Sequence, residues 1–360
     1  VERFGFVGLP NAGKSSLYNA LAGGGALAAP YAFATVDPNV GVAKVPDPRL
    51  DALAAMSGSR NVVPAAVQFV DIAGLVKGAA QGEGLGNRFL SHIREVDAIV
   101  FVLRAFVDDD VPGSSDPLEQ LETLEIELVY ADLETLEKQV DKRRKAARAD
   151  KALADEVAAM EAAISALAAG TPIYRSDLDD GQRALLRPFF LLTAKPALAL
   201  VNLDEAQLED PEPVVAPVRE AFGAAGEEAV IGLCIQLEAE AAMLDEESRA
   251  EMLEALGLGE GALPTFLHTA YRMLGLRTFF TTGEKESRAW TFRAGSRAPQ
   301  AAGVIHTDFE RGFIRAEVIH WDELVEIGSW SGARDVGKLR VEGKDYEVVD
   351  GDVLEIRFNV

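Results

Sequence analysis

A chain of 360 residues with one cysteine, Cys234, has no partner for a disulfide within itself. That excludes the disulfide-stapled secreted folds and fits a reducing cytoplasm. No apolar run approaches the ~20 residues that a membrane-spanning helix needs. The first residues, VERFGFVGLPN, have no signal-peptide layout and read as a strand. Positive charge is short: 35 Lys and Arg face 58 Asp and Glu, a formal net charge of −23. Bulk electrostatics therefore oppose nonspecific nucleic-acid binding, although a local basic patch stays open. Hydrophobic residues are plentiful at 48%, enough to fill the cores of two or three domains.

One stretch near the start is dense in signal. RFGFV, Arg3 to Val7, is a short apolar run, GLPNAGKSS follows, and SLYNALAG then has helical spacing. Gly8, Gly13, Lys14 and Ser15 fit G-x-x-x-x-G-K-[ST] in the strand–loop–helix setting which that motif requires. Glycines let backbone N–H groups close around phosphate oxygens, and the helix N-terminus adds its positive dipole. Lys14 is expected to bridge the β- and γ-phosphates, Ser15 to ligate Mg2+ and Ser16 to help hold the α-phosphate.

VQFVDIAGL, Val67 to Leu75, supplies the matching carboxylate element. Asp71 is expected to reach the Mg2+ shell through water, and the Gly74 N–H to sense the γ-phosphate. D-x-x-G is common in turns; after a P-loop and a buried strand it becomes specific. Between the two motifs, YAFATVDPNVG carries Thr35, the only Ser or Thr between the P-loop helix and the next strand. Either Thr35 is the second side-chain ligand of Mg2+, in a loop released when the γ-phosphate leaves, or it sits in a Pro-containing turn. Lys14, Thr35, Asp71 and Gly74 make up the expected catalytic set.

Two departures bear on hydrolysis. Leu75 stands where many GTPases place a Gln that orients the attacking water, and Leu cannot hydrogen-bond water. Asn11 either helps coordinate a K+ ion beside the phosphates, in place of an arginine finger, or simply forms the turn after Pro10.

The guanine-reading motif Asn-Lys-x-Asp is absent from the whole chain. In its expected place, after the apolar run ALALV, stand Asn202-Leu203-Asp204-Glu205. The Lys that covers the base is lost, and the final carboxylate lies one methylene further out. Adenine presents an amino donor and a ring acceptor, which a backbone carbonyl and N–H, for example at Leu203, could match. A hydrogen-bond mismatch in a base site discriminates by orders of magnitude, so ATP is expected over GTP. The plainer alternative is that NLDE is only the polar end of a strand.

FVGLPNAGKSSLYNAL, YAFATVDPNVG, DIAGLVKGAAQGEGLGNRFL, VNLDE and RAWTFRAGSRAPQAAGVIHTDFERGFIRAEVI together resemble the YchF (Obg-like ATPase) family of P-loop NTPases. The resemblance extends over nearly the whole chain. It implies an ATP-preferring relative of the GTPases, Mg2+-dependent, slow in hydrolysis and associated with ribosomes. It also implies phosphate contacts from Asn11, Ala12, Gly13, Lys14, Ser15 and Ser16, Mg2+ ligation by Ser15 and Thr35, and an adenine contact through the Leu203 backbone. Asn202 and Glu205 flank that contact, and Cys234, opening Cys234-Ile235-Gln236-Leu237, resembles the loop that supports the base. Some members carry a His where this chain has Phe101, so any role of that His does not transfer.

The fold expected is α/β, a G-domain-like P-loop NTPase with an inserted helical hairpin and a C-terminal α+β domain. Leu121, Leu124, Leu128, Val129, Leu133, Leu136 and Val140, then Leu153, Val157, Met160, Ile164 and Leu167, recur at near-helical spacing. They predict an antiparallel coiled-coil hairpin over 116–192 that turns near Asp150 and interrupts a nucleotide-binding domain of 1–275. Lys142, Arg143, Arg144, Lys145 and Arg148 near that tip are either a solvated helix face or an RNA- or ribosome-contacting patch. In 276–360, RAWTF, GFIRAEVI, DYEVV and DVLEIRF read as short strands, with turn signals at Gly303 and Asp350-Gly351. The resemblance names this region TGS, a β-grasp module. His306 and His320 within it have no second ligand at metal spacing. Three functions stay open: a cytoplasmic Mg·ATPase switch that docks on ribosomes and not on membranes, a GTPase with a variant base loop, and a nucleotide-gated adaptor.

Overall fold

The computed structural model describes residues 2–23, 40–72, 85–150 and 153–359. Thr35, Gly74 and Leu75 lie outside the described residues. The chain forms two compact units, residues 1–43 with 68–266 and residues 44–67 with 267–360.

The first unit is built on a six-stranded sheet of order β2-β4-β1-β5-β6-β7. Its strands are β1 (Arg3–Val7), β2 (Val40–Lys44), β4 (Ala66–Asp71), β5 (Ala98–Arg104), β6 (Ala197–Asn202) and β7 (Val230–Leu233); β3 (Asn61–Val63) belongs to the other sheet. The pairs β1–β4, β1–β5, β5–β6 and β6–β7 are all parallel. Every residue of β5 and β6 is buried, as expected of strands covered on both faces, which is why AIVFVLR and ALALVN read as unbroken apolar runs. Connections from β1 diverge, toward β4 on one side and β5 on the other, and the crevice at such a switch point is where open α/β sheets bind ligands.

Between β5 and β6 runs the inserted hairpin. Its first helix, Pro117–Ala149, is 33 residues long, about 50 Å at the α-helical rise. Asp116 caps it by accepting from the Leu118 and Glu119 N–H groups, and Pro117 takes the first helical position, where no donor is needed. The return helix is Ala154–Ala168. Val129, Leu136 and Val140 pack with Met160, Ala163 and Leu167, so the expected seam closes in this half. The same cluster takes in Ile173, Leu186, Phe189 and Leu191, making the insert a small helical body rather than a bare coiled coil.

Two buried polar contacts hold this insert in place, the first on β5 and the second on the segment that leads to β6. The Gln120 side chain accepts from the Arg104 N–H (2.9 Å) and donates to the Arg104 carbonyl (2.7 Å), extending the end of β5 like one more strand. The Asp132 carboxylate, 2% exposed, accepts from the N–H of Leu192 and from both the N–H and hydroxyl of Thr193. Burial raises its pKa above the ordinary Asp value, against the pull of those donors.

The second unit holds a six-stranded sheet of order β11-β10-β12-β8-β9-β3. Its remaining strands are β8 (Leu276–Thr281), β9 (Glu286–Arg293), β10 (Phe313–His320), β11 (Arg340–Glu342) and β12 (Asp352–Phe358). β8 and β9 form an antiparallel hairpin, and β12 runs parallel to β8. Phe279, Phe292, Phe313, Val318 and Leu354 fill the core with Ala298, Ala301 and Ala302 of helix Ala298–Ile305.

Residues 44–67 pack with this unit, unlike the expected single division after residue 275. Side chains explain the difference. Arg49 binds Asp47 and Asp350 (2.7 Å) under the ring of Phe280, and Ser57 and Ser59 bond to Thr282 and Ser287. Two local expectations also change. Gly303 marks no turn: it lies inside helix Ala298–Ile305, where a Cβ would stand 2.5 Å from the Glu310 side chain, so its smallness lets the next helix approach. DYEVV forms no strand, because the Tyr346 hydroxyl and the Val349 N–H both donate to Asp352 and hold it as a loop.

Replacing Asp132 with Ala would strip the Leu192 and Thr193 donors of their acceptor. The expected cost is on the order of 2–4 kcal/mol, read as a lower thermal midpoint. An unchanged midpoint would remove Asp132 as the fastening of the insert.

Candidate functional site

The strands deliver their last residues to one edge of the first sheet. Phe6 is in register with Asp71 and with Val100, and Asn202 pairs with Arg104 and Leu233. The P-loop leaves β1 at Val7 and enters helix Lys14–Gly23. Its glycines answer to close approach. A Cβ on Gly8 would stand 2.6 Å from the Val102 carbonyl oxygen, and one on Gly13, whose φ is 104°, 2.5 Å from the Asn202 amide nitrogen. Asn11 has a left-handed backbone, φ 64°, a conformation that Asn tolerates better than most residues.

Lys14 donates from Nζ to the carbonyls of Gly8 (2.8 Å) and Leu9 (3.0 Å). Burial lowers the pKa of its ammonium, and the nearby Asp71 carboxylate opposes that shift. Asp71 has a buried Oδ1 without a hydrogen-bond partner among the described residues. Such an orphaned acceptor is costly unless a cation or its water serves it, so it fits a hydrated Mg2+ together with the exposed Ser15 hydroxyl. Ser16 is exposed in the same helical turn, while Ala12 is buried beneath the loop.

The Asn202-Leu203-Asp204-Glu205 stretch has a specific structural job. The Asn202 amide donates to the Ala12 carbonyl (3.1 Å) and accepts from the Ile235 N–H (3.0 Å). It ties the P-loop to the start of helix Ile235–Ala242, whose own N-cap residue, Cys234, makes no capping bond. Leu203 donates its N–H to the Leu233 carbonyl (2.8 Å), which corrects the expectation that both backbone groups face a base: only its carbonyl remains. Asp204 is the N-cap of helix Glu205–Glu209, in a capping box with Gln207. The D-x-x-Q spacing that signals this box was available in the sequence. Glu205, at the first helical position, is exposed.

Asn11 to Ser16, Asn202 to Glu205 and Cys234 to Leu237 line one cleft of about 1170 Å3. Burial pushes the Cys234 thiol pKa up, and its side chain is 6% exposed, so it serves as packing. The cleft has a wall that sequence reasoning missed: Phe106, Val107, Asp108 and Val111, from the segment after β5. No motif marks this segment; only the ordering of the strands brings it here. Phe101 points elsewhere, fully buried with its ring 6.3 Å from that of Tyr174. His306 and His320 make local contacts, to the Asp308 N–H and to Asp322.

A sheet whose strands β4-β1-β5-β6-β7 run parallel, with a glycine-rich loop at its switch point, a buried lysine and a carboxylate on the adjacent strand, defines a P-loop NTPase domain of the GTPase type. A family model described as a 50S ribosome-binding GTPase matches residues 3–147, and one for the YchF-GTPase C-terminal region, described as a protein of unknown function, matches residues 276–359. The chain is 47% identical over 363 residues to the ribosome-binding ATPase YchF of Bacillus subtilis, covering 99% of both chains. It is 44% identical over 360 residues to the protein of that name from Escherichia coli O157:H7, again over 99% of each. The solved structure of the Schizosaccharomyces pombe YchF GTPase superposes with a TM-score of 0.88 at 36% identity, covering 99% of this chain and 97% of that one. The chain belongs to the YchF family.

Gly13→Ala is expected to destabilise the protein by on the order of 2 kcal/mol, through its positive φ and the collision with Asn202. In an Asn202→Ala background the added cost shrinks, because the obstructing amide is gone. Thermal melts of the single and double variants check this; strict additivity would contradict the close approach.

Proposed function

We propose that this protein is a Mg2+-dependent P-loop ATPase that alternates between nucleotide states and docks on ribosomes in the cytoplasm. The observation that carries the base preference is the state of Leu203. It stands where a guanine reader has its Lys, and its N–H is taken by the Leu233 carbonyl. The Leu203 carbonyl is left as an acceptor for the adenine amino group. GTP is the second reading, carried by the exposed Glu205, which stands at the guanine-reading position of the motif.

At the phosphate end, Lys14 exchanges its loop carbonyls for β- and γ-phosphate oxygens, and the amides of Ala12 to Ser16 surround the chain of phosphates. Ser15, Asp71 through water, and Thr35 would hold Mg2+, which supplies charge neutralisation between the phosphates. Gly74 senses the γ-phosphate. With Leu75 unable to orient water, intrinsic turnover is slow, and Asn11 would help hold a K+ ion that would supply the charge of an arginine finger. No helix among the described residues is long and apolar enough to cross a membrane.

The docking elements are the hairpin tip and the C-terminal region, 276–360, read as a TGS module. Support for the tip is selective. Arg143 pairs with Glu156 and lies over the Phe189 ring, while Arg144 pairs with Asp141 and Glu161. Those two hold the hairpin together. Lys142, Lys145 and Arg148 are exposed and make no ion pair among the described residues, which leaves them for RNA phosphates. A nucleotide-gated adaptor with incidental hydrolysis would keep its partner binding in a Lys14→Ala protein.

Calorimetric titration of nucleotide-free protein is expected to give an affinity for Mg·ATP above that for Mg·GTP by about tenfold or more. Equal affinities would return the protein to the GTPase reading, and equal turnover in sodium and potassium buffers would remove the K+ ion. Charge reversal at Lys142, Lys145 and Arg148 is expected to abolish co-sedimentation with ribosomes without lowering the melting temperature. Reversal at Arg143 and Arg144 should lower it. Unchanged co-sedimentation in the first variant would contradict the tip as a contact.

A further inference from the structure

We infer that Arg104 is a positioning residue for the nucleobase, acting through the wall that Phe106 heads. Arg104 closes β5 and is only 4% exposed. No carboxylate pairs with its guanidinium among the described residues. Instead the guanidinium donates to carbonyls of a single short segment: Phe106 (3.1 Å), Asp108 (3.1 Å), Val111 (3.0 Å) and Pro112 (3.3 Å). It also lies over the Phe106 ring, 4.6 Å from its centroid. A buried charge without a counter-ion is costly, and here backbone dipoles replace the counter-ion. The charge therefore enforces one conformation of residues 106–112. A planar fork of five donors can reach carbonyls in several directions; a lysine ammonium cannot.

The position of this wall is fixed from both sides. The Ala105 and Phe106 N–H groups donate to the Asn202 carbonyl, and the Gln120 side chain clamps the Arg104 backbone. The face presented to the cleft is apolar and open: Val107 is 68% exposed, and Met243, lining the same cleft, 82%. Exposed apolar side chains on the lining of a cleft suit a flat heteroaromatic ring, whose faces are apolar and whose edge carries the polar groups. The phosphate contacts of the P-loop involve none of these residues. Arg104 thus governs the base and leaves the phosphates alone.

This inference rests on the purine-nucleotide reading of the cleft, and one probe separates the two. Inorganic tripolyphosphate with Mg2+ carries the charge of a nucleoside triphosphate tail and no base. In the full chain, Arg104→Lys and Phe106→Ala are each expected to weaken Mg·ATP binding by about tenfold, the range of one base–aromatic contact. Both should hold tripolyphosphate within about twofold of wild type. The double variant should bind ATP about as well as either single, because Arg104 acts through Phe106. Phe106 is partly exposed, so its variant tests the wall even if Arg104→Lys unfolds. Parallel loss of ATP and tripolyphosphate in the Phe106 variant, or additive losses in the double variant, overturns the assignment. Wild-type protein that binds tripolyphosphate as tightly as ATP overturns the nucleotide reading beneath it, and the assignment with it.

Discussion

The amide of Asn202 holds the site together. One oxygen and one nitrogen join the P-loop, the end of β6 and the first turn of helix Ile235–Ala242, parts of the chain separated by 190 and 33 residues. Because the amide needs room beside the loop, residue 13 must be glycine. Because its oxygen caps the helix, Cys234 need not, and an apolar thiol can close the floor of the cleft. The Asn202 backbone carbonyl anchors the opposite wall through Ala105 and Phe106. Phosphate end, base floor and base wall are therefore set by a single residue that reads no base itself.

The same economy governs the charges. In a chain with so large an acidic excess, the buried cations are each given a backbone partner: Lys14 takes two loop carbonyls, and Arg104 a crown of them. Carbonyl partners hold a cation less firmly than a carboxylate does, and for Lys14 that matters, since phosphate oxygens can displace them. For Arg104, four such partners at once leave the side chain nowhere to go. Asp71 is the converse case, a buried acceptor without a donor among the described residues, which is the arrangement a cation site requires.

Much of the fold was legible in the letters. The apolar runs of β1, β4, β5 and β6 and the long leucine spacing of 121–140 fall where strands and a helix stand, because burial on two faces and on one stripe leaves distinct periodicities. The C-terminal strands were less clear. DYEVV has strand composition, yet its backbone is claimed by the Ala298 N–H, the Ser296 carbonyl and the Asp352 carboxylate. Residues 44–67 gave no hint of the unit they join, since Arg49 and Asp350 lie 301 positions apart.

The conformation of the P-loop follows from local sequence alone. A glycine loop between a strand and a helix has one stable geometry, and the groups that touch phosphate are its own neighbours in the chain. Identity of the base wall does not follow. The Leu203 backbone looks like a reader with two groups until β7 takes its N–H. Phe106 looks like nothing until the order β1-β5-β6 sets it across the cleft. Short-range motifs fix what adjacent residues can do, whereas hydrogen bonds between distant strands decide which of those groups are still free.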